Sequence, residues 1–133
     1  MKDAQWKPYW SDNLVLYGLG WLGTYSKIEA FDEFRRPFEK TFVGWGDGEI
    51  DGITGVSADC KAGDGDYAFL HGWKMITGFH AKPFLGIEQT GKRVFMRECD
   101  WWRCSNEKIG ESWCMLDTLH IALQLGRDII SEI

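Results

Sequence analysis

The chain has 133 residues, 44% of them hydrophobic and 15% aromatic, with a formal net charge of −5. That length predicts one domain, residues 1–133, with a core of its own, and the hydrophobic content excludes a disordered chain. The acidic balance, with no basic stripe, argues against nucleic acid as a partner; no window approaches the ~18 apolar residues of a membrane span, and MKDAQWKPYW lacks the apolar stretch of a signal peptide, so a cytoplasmic protein is expected.

In chain order, Asn13–Gly18 (NLVLYG) reads as a short strand, and the glycine-rich GLGWLGT after it as a turn. That turn lacks the Lys-Ser/Thr ending of a phosphate loop. In SKIEAFDEFRRPFEKTF, Ser26 and Glu29 form a capping-box pattern, and Ile28, Phe31, Phe34, Phe38 and Phe42 recur at helical spacing. The reading is an amphipathic helix with a phenylalanine stripe facing the core, kinked or split at Pro37. Beyond Phe42 the pattern becomes β structure broken by Gly and Asp turns, AGDGD among them, with Tyr67–Phe79 as one long bent strand. KRVFMRECDWWRC and KIGESWCML form a hairpin across SNEK. Leu119, Ala122, Leu123 and Leu125 then mark a short helix stopped by Gly126. Helices segregated from an antiparallel sheet give the α+β class.

Cys60, Cys99, Cys104 and Cys114 form no C-x-x-C pair, and His71, His80 and His120 show no paired ligand spacing, so neither a metal nor a disulfide framework is expected. With the hairpin centred between Asn106 and Glu107, Asp100 faces Trp113, Trp102 faces Glu111, Glu98 faces Met115 and Cys99 faces Cys114. Alternation then puts Glu98, Asp100, Trp102, Glu111, Trp113, Met115 and Asp117 on one face. The reading favours solvated rim positions for Glu98 and Glu111 and leaves Asp100 balanced between rim and pocket. Asp117 has two readings. As an N-cap it would be held ionised by backbone N–H groups; as a general acid or base it would need an apolar pocket that raises its pKa.

Several motifs, in order and spacing, resemble the SnoaL-like polyketide cyclases of the nuclear-transport-factor-two-like superfamily. They are GDGDYAFLHGW, TGFHAKPFLGIEQTGKRVFMRECDWWR and ESWCMLDTLHIALQLGRDII, with LVLYGLGWLGT and RRPFEKTF upstream. The resemblance spans roughly residues 13 to 130. It implies a cone-shaped, curved antiparallel sheet wrapped around helices and a central apolar pocket, here with a shortened N-terminal helical region. It also implies a homodimer through the sheet and a hydrophobic or aromatic small-molecule ligand. The implied chemistry is an intramolecular aldol-type cyclisation, or a related lyase or isomerase reaction, without metal or organic cofactor. The resemblance makes Asp117 the proton-transfer group and maps Trp73, His80, Asp100 and Trp113 to the family's pocket, with His71 on the face of Trp73. His80, His71 and Tyr17 are the candidate donors to a developing oxyanion, and the shared hairpin face adds Trp102 and Met115 to the candidate substrate pocket. Phe34 stands where the family often has His, Lys74-Met75 where it often has Pro-Ser, and Glu107 where it often has Gly. The alternatives are a noncatalytic ligand-binding or association module on the same fold, or another hydrolase or hydratase of the superfamily.

Overall fold

The structure is a computed structural model. It describes residues 7–44, 49–50, 53–54 and 58–133. A seven-stranded sheet has the order β2-β1-β9-β8-β7-β3, with β6 also paired to β7. Its strands are β1 (Trp10–Gly18), β2 (Thr24–Ser26), β3 (Phe42–Val43), β6 (Cys60–Asp64), β7 (Tyr67–His80), β8 (Arg93–Ser105) and β9 (Lys108–Leu116). Two-residue strands β4 (Glu49–Ile50) and β5 (Ile53–Thr54) pair with each other. The helices are α1 (Ile28–Thr41) and α2 (Thr118–Leu125). The sheet is mixed and not purely antiparallel, because β1 runs parallel to β9, with Leu16 beside Ser112 and Tyr17 beside Trp113.

The helix α1 begins differently from its capping-box pattern. Ser26 is held in the β2 ladder opposite Val15. Lys27 takes a left-handed φ of 72° and caps α1 without a side-chain hydrogen bond. Its N–H goes instead to the Leu14 carbonyl, 2.7 Å away. Pro37 lies inside one uninterrupted helix. It removes one intrahelical donor, and the Thr41 hydroxyl donates to its carbonyl at 2.9 Å. The phenylalanine stripe divides: Phe38 and Phe42 are buried in the main core, while Phe31 and Phe34 are half-buried and line a cavity.

The main core joins Phe38 and Phe42 to Met75, Ile76, Phe84, Val94, Met96, Leu116, Ile121 and Leu125. A second cluster holds Leu14 and Ile28, with Trp10 stacked on Phe31 at 5.1 Å. The start of β8 pairs with β7 on one side, but the end of β9 leaves its other edge without a strand, since Leu116 pairs with Glu98 and β8 begins at Arg93. The helix α2 fills that need. The Gln124 side-chain amide accepts from Phe95 N–H at 2.9 Å and donates to the Phe95 carbonyl at 2.7 Å. Gly126, at φ 102°, ends α2 in the left-handed conformation, as its sequence position predicts.

The hairpin turns where expected. Asn106 and Glu107 have φ of 51° and 62°, the two positive values that a two-residue type I′ turn requires. Its register differs from the simple reading. Cys104 pairs with Ile109 but Arg103 pairs with Glu111, so Gly110 is an extra residue in the ladder. Past this bulge every partner moves by one. Asp100 faces Cys114, Trp102 faces Ser112, Glu98 faces Leu116, and Cys99 faces Met115 instead of Cys114. A one-residue slip exchanges the faces of the whole partner strand. Glu98, Asp100 and Trp102 therefore share a face with Ser112, Cys114 and Leu116, and Trp113 and Met115 lie on the opposite face, along with Arg97, Cys99 and Trp101.

Candidate active site

The inner face of β8 and β9 borders a cavity of about 270 Å³. Leu16, Leu22, Leu70, Met75, Ile76 and Leu116 supply aliphatic wall, and Trp10, Phe31, Phe34, Phe38 and Trp102 supply aromatic wall. The polar lining comes from Glu98, Asp100, Ser112, Cys114 and Arg35. This is the composition of a small-molecule site: mostly apolar, with a few convergent polar groups.

Arg35 enters the cavity wall already paired. Its guanidinium bonds Asp32 at 2.9 and 3.2 Å and also the Glu39 carboxylate, on the same helix. These partners hold its charge and keep its pKa raised despite the opposing effect of burial. Among the described residues, Glu98 and Asp100 have no such cation. Each is 9% exposed. Burial pushes Glu98 up to about 8, reinforced by the charge of Asp100. Burial pushes Asp100 up to about 6, against hydrogen bonding with Cys114 and Glu98. Groups this close titrate as a unit, and near pH 7 the pair holds one proton between them. The Cys114 thiol donates to Glu98 Oε1 at 3.3 Å, and burial followed by the two nearby carboxylates raises its own pKa, so it stays a thiol. Asp100 Oδ1 and Trp102 Nε1 are buried without a hydrogen-bond partner. Unspent polar capacity on the wall of an apolar cavity is what a ligand can satisfy.

Of the nine residues singled out from sequence, Asp100 and Trp102 lie on this wall. Asp117 does not. It is the N-cap of α2, with Oδ1 accepting from His120 N–H at 2.9 Å, and Oδ2 lies 3.5 Å from Arg97 Nη1. The bulge explains the change: Asp117 shares strand parity with Trp113 and Met115, and that parity faces away from Asp100. Tyr17 stacks on Trp113 at 5.5 Å on the outer face, where both border an open groove together with Met115, Trp101 and Tyr67. Trp73 is 60% exposed and carries the Arg97 guanidinium 4.7 Å above its ring. His71 is half-buried beside Trp73, with Nδ1 3.1 Å from the Glu98 carbonyl oxygen. His80 is fully buried against Phe42 at 5.6 Å; its Nδ1 accepts from Thr90 N–H at 3.3 Å, and burial lowers its pKa. Neither histidine lines the cavity.

The sequence pattern favours a solvated rim for Glu98, whereas the structure buries it on the cavity wall, and the pattern does not bring Ser112 and Cys114 to this face. The signal was Gly110. A glycine inside a strand pattern is a bulge marker, and reading KIGES as bulged restores the observed pairing. Phe34 is part of the aromatic wall.

A family model for the SnoaL-like polyketide cyclases matches residues 27–125. The chain belongs to the SnoaL-like polyketide cyclase family. Among solved structures it is similar to a SnoaL-like protein from Jannaschia sp. CCS1, with a TM-score of 0.69, 16% identity, and coverage of 90% of this chain and 75% of that one. It is also similar to IdmH from Streptomyces antibioticus, at TM-score 0.68 and 17% identity, covering 91% and 84% of the two chains. AclR from Streptomyces galilaeus gives 0.67 and 19%, covering 90% and 79%. A comparison with curated proteins gives no match. These structures support the curved α+β architecture, and the family supports a cyclase- or isomerase-type function. Among the described residues, no helix is long and apolar enough to cross a membrane.

Proposed function

We propose that the chain is an acid–base cyclase or isomerase for a hydrophobic, carbonyl-bearing small molecule, with Asp100 and Glu98 passing the protons. The observation that carries this reading is the buried carboxyl pair on the apolar cavity wall. Asp100, the more acidic member, is the base: it takes a proton from carbon next to a carbonyl. The resulting enolate carbon attacks a second carbonyl carbon, forming the ring C–C bond as that C=O becomes an alkoxide. Glu98, the protonated member, returns a proton to the alkoxide. Asp100 is then protonated and Glu98 ionised, and one proton passed between them restores the starting state. A pKa near working pH suits both tasks, and a positioned acid–base group of this kind contributes roughly 10²–10⁴-fold in rate. The aromatic wall holds the chain folded for ring closure.

The outer face supports the homodimer implied by the sequence. Tyr67, Trp73, Trp101 and Met115 are exposed there, and a groove of about 600 Å³ runs among Tyr17, Tyr67, Trp101 and Trp113. We propose that a second copy packs on this face.

The proton-transfer step can be measured without the natural substrate. 2-Tetralone, an enolisable two-ring ketone, in D₂O reports α-carbon exchange by NMR. The wild type should accelerate exchange, and Asp100→Asn should lose about 10²–10⁴-fold of it. Asp117→Asn, which preserves a cap because Asn caps as well as Asp, should stay within about threefold of wild type. Exchange that survives Asp100→Asn and disappears in Asp117→Asn would return the catalytic role to Asp117.

A further inference from the structure

We infer that the cavity is built for an organic cation: an aromatic or alicyclic molecule carrying a protonated amine, held by Asp100 and Glu98 within the aromatic wall. This inference rests on the reading of the cavity as the substrate site and adds the charge class of its occupant. Three features of the geometry point to it.

The first is the uncompensated acid pair. Glu98 and Asp100 lie together on the wall, each nine-tenths buried, and Asp100 Oδ1 has no donor among the described residues. The pair keeps one negative charge near neutral pH, as their raised pKa values imply. An ionised carboxylate in an apolar surrounding is costly unless a cation or donor meets it.

The second is the state of the cation that does line the cavity. Arg35 is committed to Asp32 and Glu39. It does not offset the acid pair, and a ligand carboxylate would have to displace two carboxylates to reach it. Anionic ligands thus face repulsion from Glu98 and Asp100 with no available counter-charge in return.

The third is the wall itself. Trp10, Phe31, Phe34 and Trp102 surround the same space. Ring faces attract cations, the more so where water is excluded. Carboxylate and rings together favour an ammonium over a neutral hydroxyl, and a neutral hydroxyl over a carboxylate. An inorganic cation fits less well. Glu98, Asp100 and Cys114 present ligand atoms within 4.8 Å of one another, but burial keeps the proton on the Cys114 thiol, which donates it in a hydrogen bond to Glu98, and thiolate is the form that binds metal.

The test is a matched set of naphthyl probes on the full chain at pH 7, followed by quenching of tryptophan fluorescence: 2-naphthylmethylammonium, 2-naphthylmethanol and 2-naphthoate. The ammonium should bind at least tenfold more tightly than the alcohol, and the alcohol at least tenfold more tightly than the naphthoate. Asp100→Asn, nearly isosteric, should shrink the ammonium preference over the alcohol to about threefold or less, whereas Glu98→Gln, which replaces the protonated member by a neutral amide, should keep a preference above that; a preference unchanged in Asp100→Asn overturns the inference. Equal affinity for ammonium and alcohol in the wild type overturns the inference and leaves the proton-transfer reading standing. Zn²⁺ that binds tightly and displaces the ammonium in wild type but not in Cys114→Ser also overturns it, in favour of a metal. Failure of all three probes to bind, with 2-tetralone exchange also absent, overturns the site reading itself.

Discussion

The two faces of the β8–β9 hairpin carry the same kinds of residue and give them opposite uses. On the inner face, Glu98 and Asp100 stand among Trp102, Leu116 and the rings of α1, with no cation to hold them ionised. On the outer face every acid considered has a basic partner: Glu111 bonds Arg103, and Asp117 has Arg97 together with the first turn of α2. Surface pairs of that kind contribute roughly 0–1 kcal/mol and fix geometry more than they store energy. The inner pair lowers stability and gains chemistry, because its desolvation moves carboxyl groups to where they can exchange protons near neutral pH. What separates the two uses is one residue, Gly110, whose bulge decides which strand positions face inward.

Breaking the outer face should have the larger effect on assembly. Trp101 is 44% exposed, lies 4.6 Å from Phe69, and borders the outer groove. Trp101→Lys should weaken self-association by more than about 2 kcal/mol, as loss of a central aromatic anchor does. Sedimentation equilibrium should then find a dimer for the wild type and a single chain for the variant. Identical behaviour of the two would remove the dimer from this face.

Changing the inner face should alter stability and its pH dependence. Glu98 has a folded pKa above its ordinary value of 4.5. The folded protein therefore binds this proton more tightly than the unfolded chain. The resulting stability is fully present below pH 4.5 and is lost as pH rises through about 8. Glu98→Gln carries no such proton, so it should gain on the wild type as pH increases. Between pH 5 and pH 8.5 the difference in unfolding free energy should move by at least about 1.4 kcal/mol in favour of the variant, the equivalent of one pKa unit. Urea titrations at the two pH values measure it. A constant difference would mean that Glu98 is solvated.

Much of the fold was legible in the sequence because local chemistry specified it. The long bent strand, the SNEK turn and the Gly126 stop are set by residues within a few positions of each other. The start of α1 was not. A strand ladder claimed Ser26, and tertiary pairing overrode the capping pattern. The site was half legible. Asp100 and Trp102 follow from strand alternation in a single strand, which a sequence displays. Their neighbours Ser112 and Cys114 depend on the register between two strands, which a single bulge reverses. Asp117 looked like an acid in an apolar setting because Trp113, Met115 and Leu116 precede it, yet the first two face outward and Arg97, twenty residues earlier, sits beside it.

The cavity keeps Glu98 and Asp100 from ionising at their ordinary pH. A ¹³C NMR titration of the side-chain carboxyl carbons addresses it directly, with Glu98→Gln and Asp100→Asn providing assignments. Two linked transitions are expected for this pair, one near pH 6 and one near pH 8. Two independent transitions near the ordinary values of 3.8 and 4.5 would contradict it.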